Sequence, residues 1–126
     1  MNNLIEKPLY WVGSSRKDLR SLPLEVRKFF GHALNFAQHG CKHNAAKVLS
    51  GFGCAGVIEI IEDHIGGTYR VVYTVKFSEA VFVLHCFQKK SKHGISTPPK
   101  DIDLICERLK AAEALNKELY HEQKKY

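Results

Sequence analysis

The stretch "TYRVVYTVKFSEAVFVLHCFQKKS", residues 68–91, decides the fold of this chain. Its two runs of branched and aromatic residues flank a short polar pair, which predicts an antiparallel hairpin that turns at Ser78 and Glu79. A further strand-like run, "VIEIIED" (57–63), precedes it across "HIGG". The sequence therefore predicts a three-stranded meander.

Alternation along these strands predicts two unlike sheet faces. One is apolar and is expected to pack against helices, with Tyr69, Val71, Tyr73, Val75, Phe82, Leu84 and Cys86. The other is expected to be half open, with Arg70, Val72, Thr74, Lys76, Val81, Val83, His85, Phe87 and Lys89. A first turn at Gly66 and Gly67 adds Glu59 to the half-open face. The same turn places Asp63 opposite Arg70, and a shift of one residue in a strand reverses these assignments.

The segments before the meander predict a strand and a helical hairpin. "KPLYWVG" (7–13) favours a strand, and the spacing of Ser15 and Asp18 resembles a capping box at the start of a short helix. Pro23 suits the first turn of a second helix, which carries an apolar stripe and ends near Gly40. We expect a loop over residues 41–56.

A last helix is predicted after the prolines in "TPPKDIDLICERLKAAEALNKELY" (97–120), and we expect it to pack on the sheet. The fold class is therefore α+β: a small antiparallel sheet with an N-terminal helical hairpin on one face and a C-terminal helix. Residues 1–126 fit one domain, whose tail, 121–126, is expected to fray.

Composition limits the classes of function. The chain is 44% hydrophobic and 25% charged, as folded domains are, and its net charge of +6 favours an anionic partner such as nucleic acid or an acidic protein. No apolar run reaches the length of a membrane helix, so we expect a cytoplasmic protein without a membrane partner. The four cysteines are scattered, and we expect no disulfide.

Arg70 raises the central question, because a cation on an apolar strand has to be solvated, paired with an anion, or employed in binding or catalysis. A guanidinium beside ammonium and imidazole groups on a rigid sheet suits the binding of a phosphate. The structural alternative is that Arg70 pairs with Asp63 or Glu59 and that "QKK" ends a strand in water. Residue types alone favour the structural alternative.

Three motifs in order change that balance. They are "KPLYWVGSSRKDLRSLP" (7–23), "HNAAKVLSGFGCAGVIEI" (43–60) and "GGTYRVVYTVKFSEAVFVLHCFQKKS" (66–91). Together they resemble the RelE/HigB superfamily of toxins from bacterial toxin–antitoxin pairs, in particular its phage-related HigB-like branch. The resemblance covers most of the chain and implies a metal-independent endoribonuclease that cuts messenger RNA on the ribosome. It also implies an antitoxin partner, expected to be a helix-turn-helix protein.

The resemblance implies roles for individual residues. Arg70 corresponds to the phosphate-binding arginine of the family, Glu59 or His85 is a candidate base, and Lys89 is a candidate acid. Candidate RNA-binding residues are Lys47, Phe87, Lys90 and Lys92. Several family members use a tyrosine near the C-terminus; here Tyr120 and Tyr126 are expected to lie too far along, and Tyr73 is expected to face the core.

Other functions remain open from the sequence. A gyrase-poisoning toxin of the ParE type shares the fold, and a non-catalytic component that binds only its antitoxin or nucleic acid is a third possibility. His39, Cys41 and His43, with Cys54 downstream, fit no established zinc spacing, so we expect no metal and no cofactor.

Overall fold

The stretch that decides the fold contributes two adjacent strands to a five-stranded sheet in a computed structural model, which describes residues 6–49, 55–89 and 97–121. The strands are β1 (Leu9–Trp11), β2 (Lys47–Leu49), β3 (Val57–His64), β4 (Gly67–Thr74) and β5 (Val81–Lys89). The helices are α1 (Ser15–Arg20), α2 (Leu24–Gln38) and α3 (Pro99–Tyr120). The strand order is β1-β5-β4-β3-β2, so the α+β fold class is confirmed.

The sheet is larger and less uniform than the sequence predicts. β2, β3, β4 and β5 pair antiparallel, but β1 runs parallel to β5, so the expectation of a purely antiparallel sheet is wrong at that edge. The expected loop 41–56 contains β2, which pairs with β3 over three residues. Such a short strand carries too little alternation to be read from sequence.

The first hairpin turns one residue earlier than predicted. His64 pairs with Gly67, so Ile65 and Gly66 form the turn, and Gly66 has the positive φ of 99° that favours glycine. Arg70 therefore lies opposite Ile61 rather than Asp63. This moves every pairing by two residues, which preserves the face of each side chain.

The second hairpin contains a β-bulge that the sequence pattern does not reveal. Val72 pairs with His85 as predicted, but Tyr73 pairs with Val83, which leaves Leu84 as the extra residue. Ser78 and Glu79 lie in a turn as predicted, but the connection is longer than a two-residue hairpin turn, because β4 ends at Thr74 and β5 begins at Val81. One extra residue reverses the alternation beyond it.

The bulge exchanges the predicted faces of the first half of β5. Val81 and Val83 pack with the helical hairpin, whereas Phe82 and Leu84 belong to the opposite face, so all four assignments are wrong. Cys86, beyond the bulge, packs with the helical hairpin as predicted.

Helices cover both faces of the sheet. α1 and α2 pack on one face through an apolar stripe that includes Phe30 and Leu34. α3 packs on the other through Ile105, Leu109 and Ala112, and burying each of the larger side chains contributes about 1.5–3 kcal/mol. The predicted packing of α3 is confirmed, but the expected half-open face is wrong because α3 lies on it.

Polar contacts fix α3 along its length. The Arg108 guanidinium donates to the carbonyl of Leu84 at 2.9 Å, which satisfies a backbone oxygen at the bulge. At the far end, the hydroxyls of Tyr10 and Tyr120 lie 2.9 Å apart. These contacts tie α3 to β5 and to β1.

Cys106 on α3 is disulfide-bonded, which contradicts the expectation of no disulfide, while Cys41 and Cys86 are free thiols. Scattered spacing in sequence does not reveal which cysteines meet in space.

In the described ranges, no helix combines the length and the apolar character needed to cross a bilayer.

Candidate active site

Arg70 lies in the middle of β4, next to Ile61 and Phe87 in the neighbouring strands. Its side chain is 2% exposed, and its Nη1 lies 2.9 Å from Oε2 of Glu59, whose side chain is 7% exposed. Both side chains are thus buried on the sheet face that α3 packs against. The expectation of an open phosphate-binding surface is wrong for this conformation, and the predicted alternative of an Arg70–Glu59 pair is present.

Thr97, two residues before α3 begins, completes a closed set of contacts with this ion pair. Its Oγ1 accepts a hydrogen bond from Arg70 Nη1 at 2.9 Å and donates one to Glu59 Oε2, also at 2.9 Å. Sequence reasoning missed Thr97 because it lies far from both partners along the chain. A lone polar residue before two prolines reads as a helix start, not as part of a site.

Lys89, at the end of β5, belongs to the same cluster. It is 8% exposed, and its pKa is lowered from the usual 10.5 by desolvation and then by the charge of Arg70, against the opposing effect of Glu59. The predicted grouping of a guanidinium and an ammonium group is therefore present, although both groups are buried. Repulsion by Arg70 and burial both make Lys89 a better proton donor than an exposed lysine.

His85 forms a second polar contact with α3. Its Nε2 lies 2.8 Å from Oδ1 of Asp101, and the ring of Phe87 stacks on the imidazole with 4.4 Å between centroids. Its buried Nδ1 has no hydrogen-bond partner in the described part of the chain. A carboxylate at Nε2 favours a proton on that nitrogen, which leaves the Nδ1 lone pair available in the neutral ring.

Asp101 is a second residue that sequence reasoning missed. It lies in the first turn of α3, where acidic residues are common because they suit the helix dipole. Nothing in the spacing distinguishes it from Asp103 on the same helix. The packing of α3 on the sheet is what brings Asp101 to His85.

The other predicted site residues differ in their position relative to the cluster. Lys47 on β2 pairs in register with Glu59 and is exposed, so it borders the site. Phe87 is half-buried against His85. Lys90 and Lys92 fall outside the described residues. Asp63, the other expected partner of Arg70, instead accepts a hydrogen bond from Thr68.

Two further sequence features have structural partners. Tyr73 is buried on the helical-hairpin face, as predicted, and burial raises its pKa to about 12. The ring of His43 accepts a hydrogen bond from the backbone of Ala45, and Nδ1 of His39 lies 2.9 Å from a carbonyl of α2. Among the residues described, no three histidine, cysteine or acidic side chains group as metal ligands.

The cluster combines groups of complementary chemistry on one sheet face. A carboxylate and an imidazole can accept a proton, a guanidinium can stabilise negative charge on a phosphate, and an ammonium group of lowered pKa can donate a proton. These are the parts needed for phosphoryl transfer without a metal. In the described conformation all four of these side chains are buried.

Comparisons with known proteins give a family and a fold. The family model described as "Phage derived protein Gp49-like (DUF891)" matches residues 17–110. A mutant of the E. coli toxin RelE in the free state is similar in structure, with TM-score 0.52 and 20% identity over 84% of this chain and 97% of that one. A chain of the toxin–antitoxin complex RelBE2 from Mycobacterium tuberculosis gives TM-score 0.45 and 18% identity over 72% of this chain and all of that one. No curated protein matches the chain.

Proposed function

This chain belongs to the phage-derived Gp49-like family, and we propose that it is the toxin of a toxin–antitoxin pair, a metal-independent endoribonuclease that cuts messenger RNA on the ribosome. The predicted membership of the RelE/HigB superfamily is confirmed by the family match together with the RelE-like fold. The observation that carries the nuclease proposal is the convergence of Arg70, Glu59 and Lys89 on one face. The net charge of +6 suits both an RNA substrate and an acidic antitoxin surface.

The proposed reaction is attack by a ribose 2′-hydroxyl on the adjacent phosphorus. The new 2′-O–P bond forms as the P–O5′ bond breaks, which gives a 2′,3′-cyclic phosphate and a free 5′-hydroxyl. Glu59 takes the proton of the 2′-hydroxyl, Arg70 stabilises the charge that develops on the phosphate oxygens, and Lys89 gives a proton to O5′. His85 is the alternative base, through its unpartnered Nδ1.

Burial sets a condition on this mechanism. With Arg70 2% exposed, an RNA phosphate cannot contact the guanidinium in the described conformation. The contacts of Thr97 with Arg70 and Glu59 have to break before RNA binds. The proposal therefore includes a displacement of the Thr97 side chain from this ion pair.

The same burial favours a second candidate, a non-catalytic component in which Arg70 and Glu59 form a structural ion pair. A buried arginine is often retained because its removal leaves an unpaired carboxylate. In this case the protein would act by binding an antitoxin or nucleic acid.

Controlled expression in a bacterial host separates these functions. Wild type and the charge-retaining variant Arg70→Lys would be induced, with growth, the 5′ ends of messages and DNA breaks followed in parallel. The nuclease predicts growth arrest with new 5′-hydroxyl ends in messages for the wild type and few such ends for Arg70→Lys, because a lysine cannot reproduce the bidentate geometry of arginine. Growth arrest with intact messages contradicts the nuclease, and DNA breaks in that case would indicate gyrase poisoning.

A further inference from the structure

The Thr97 hydroxyl makes the two contacts that the attacking group of an RNA substrate requires. A 2′-hydroxyl has to donate its proton to a base and lie beside a cation that stabilises the developing charge. Thr97 Oγ1 donates to Glu59 Oε2 and accepts from Arg70 Nη1, both at 2.9 Å. Among the hydroxyl groups of the described residues, that of Thr97 alone is seen to form a hydrogen bond with Glu59 or Arg70.

We propose that Thr97 occupies the subsite of the ribose 2′-hydroxyl, so that the chain blocks its own site and opens it when a ribonucleotide displaces this side chain. The inference rests on the proposed ribonuclease function and adds to it the position of the nucleophile.

The position of Thr97 in the chain makes displacement feasible. It lies before Pro98 and outside α3, whereas the helix itself is held by the His85–Asp101 contact one turn later. Thr97 can therefore leave while Asp101 stays in place. The Arg70–Glu59 hydrogen bond does not depend on Thr97, so the pair survives its departure.

The subsite would select ribose over deoxyribose. A 2′-deoxynucleotide has no hydroxyl to enter the subsite, so it binds with the two hydrogen bonds of Thr97 still in place, whereas a ribonucleotide has to break them and replaces them with its own. Removal of the Thr97 hydroxyl should therefore favour ribonucleotides specifically, not anionic ligands in general.

The test is binding of adenosine 3′-monophosphate and its 2′-deoxy analogue to purified wild type, Thr97→Ala and Thr97→Ser. For Thr97→Ala we expect about tenfold tighter binding of the ribonucleotide than for wild type, since hydrogen bonds to charged groups no longer have to be broken. The deoxy analogue should gain less than about twofold, because its binding breaks neither hydrogen bond of Thr97. Thr97→Ser keeps the hydroxyl and should behave as wild type.

Thr97→Val, which keeps the side-chain shape, serves as a second variant, and thermal unfolding checks that each variant is folded. Equal ribonucleotide affinity in wild type and in both hydroxyl-free variants would overturn the inference, as would an equal gain for the deoxy analogue. Cleavage is not measured in this assay. A chain that binds as expected but leaves messages intact on expression would contradict the proposed function alone.

Discussion

Arg70 and Glu59 form an ion pair with 2.9 Å between Nη1 and Oε2, and both side chains are buried under the α3 side of the sheet. In this environment a single charge has no solvent to stabilise it, so the two residues depend on each other. Stability and chemistry are therefore coupled at this site, and variants made to test one will change the other.

The variant Arg70→Ala should be destabilised by about 3–5 kcal/mol, because it leaves the Glu59 carboxylate buried without its counterion. Urea unfolding of the variant and the wild type measures this change in the free energy of unfolding. The double variant Glu59→Leu/Arg70→Met removes both charges and should be more stable than Arg70→Ala. A loss of only ~0.5 kcal/mol for Arg70→Ala, the range expected of a surface change such as Arg16→Ala, would contradict the buried pair.

Lys89 should reduce stability at neutral pH. Its pKa is lower in the folded protein than in the unfolded chain, so unfolding takes up protons between the folded pKa and about 10.5 and stability rises with pH in that window. The variant Lys89→Met should equal or exceed the wild type in stability at pH 7, by urea unfolding. Its advantage should shrink as the pH rises through the folded pKa of Lys89. A constant difference across that range would show that Lys89 is not desolvated.

Asp101→Asn should change the ring of His85 without unfolding the protein. The carboxylate holds a proton on Nε2 at 2.8 Å, and an amide can present either a donor or an acceptor to that nitrogen. Nitrogen NMR of the imidazole should show a lower population of the Nε2-protonated tautomer. Asp103→Asn, an exposed change on the same helix, is the matched control.

If His85 is the base, RNA cleavage by Asp101→Asn should fall on the order of 10²-fold. If Glu59 is the base, the tautomer should change while cleavage falls much less. An unchanged tautomer would contradict the His85–Asp101 contact itself.

The two free thiols should differ in reactivity. Burial raises the pKa of Cys86 to about 12, whereas Cys41 is exposed. Since the thiolate is the reactive species, iodoacetamide at pH 8 should label Cys41 and leave Cys86 unmodified. Mass spectrometry of peptides gives the ratio, with the denatured protein as the control that both sites can react. Equal labelling rates in the folded protein would show that Cys86 is accessible.

Much of the fold could be predicted from local patterns. The helices, β3 and most of β4 follow from periodicity and from the proline and glycine residues at helix ends. The error in the register of the first hairpin was an even number of residues, so Glu59 and Arg70 were still predicted on one face. The bulge at Leu84 could not be predicted, since an extra residue in a uniformly apolar strand leaves no signal.

The site was harder to predict than the fold because some of the residues that contact it come from a distant part of the chain. Thr97 and Asp101 reach the sheet through the packing of α3, and no spacing in the sequence reports that contact. An apolar helix face predicts that the helix packs, but it does not identify which sheet face it covers.

The most direct test of the nuclease proposal is single-turnover cleavage of a defined message on programmed ribosomes by purified wild type and Glu59→Gln, a variant of the same shape that cannot accept the proton. Both proteins are first shown to be folded by circular dichroism. The account predicts a 2′,3′-cyclic phosphate product with wild type, a rate lower on the order of 10²-fold with Glu59→Gln, and no cut at a 2′-deoxynucleotide. Cleavage of the deoxy-substituted message at the normal rate, or no cleavage of any message by the folded wild type, would contradict it.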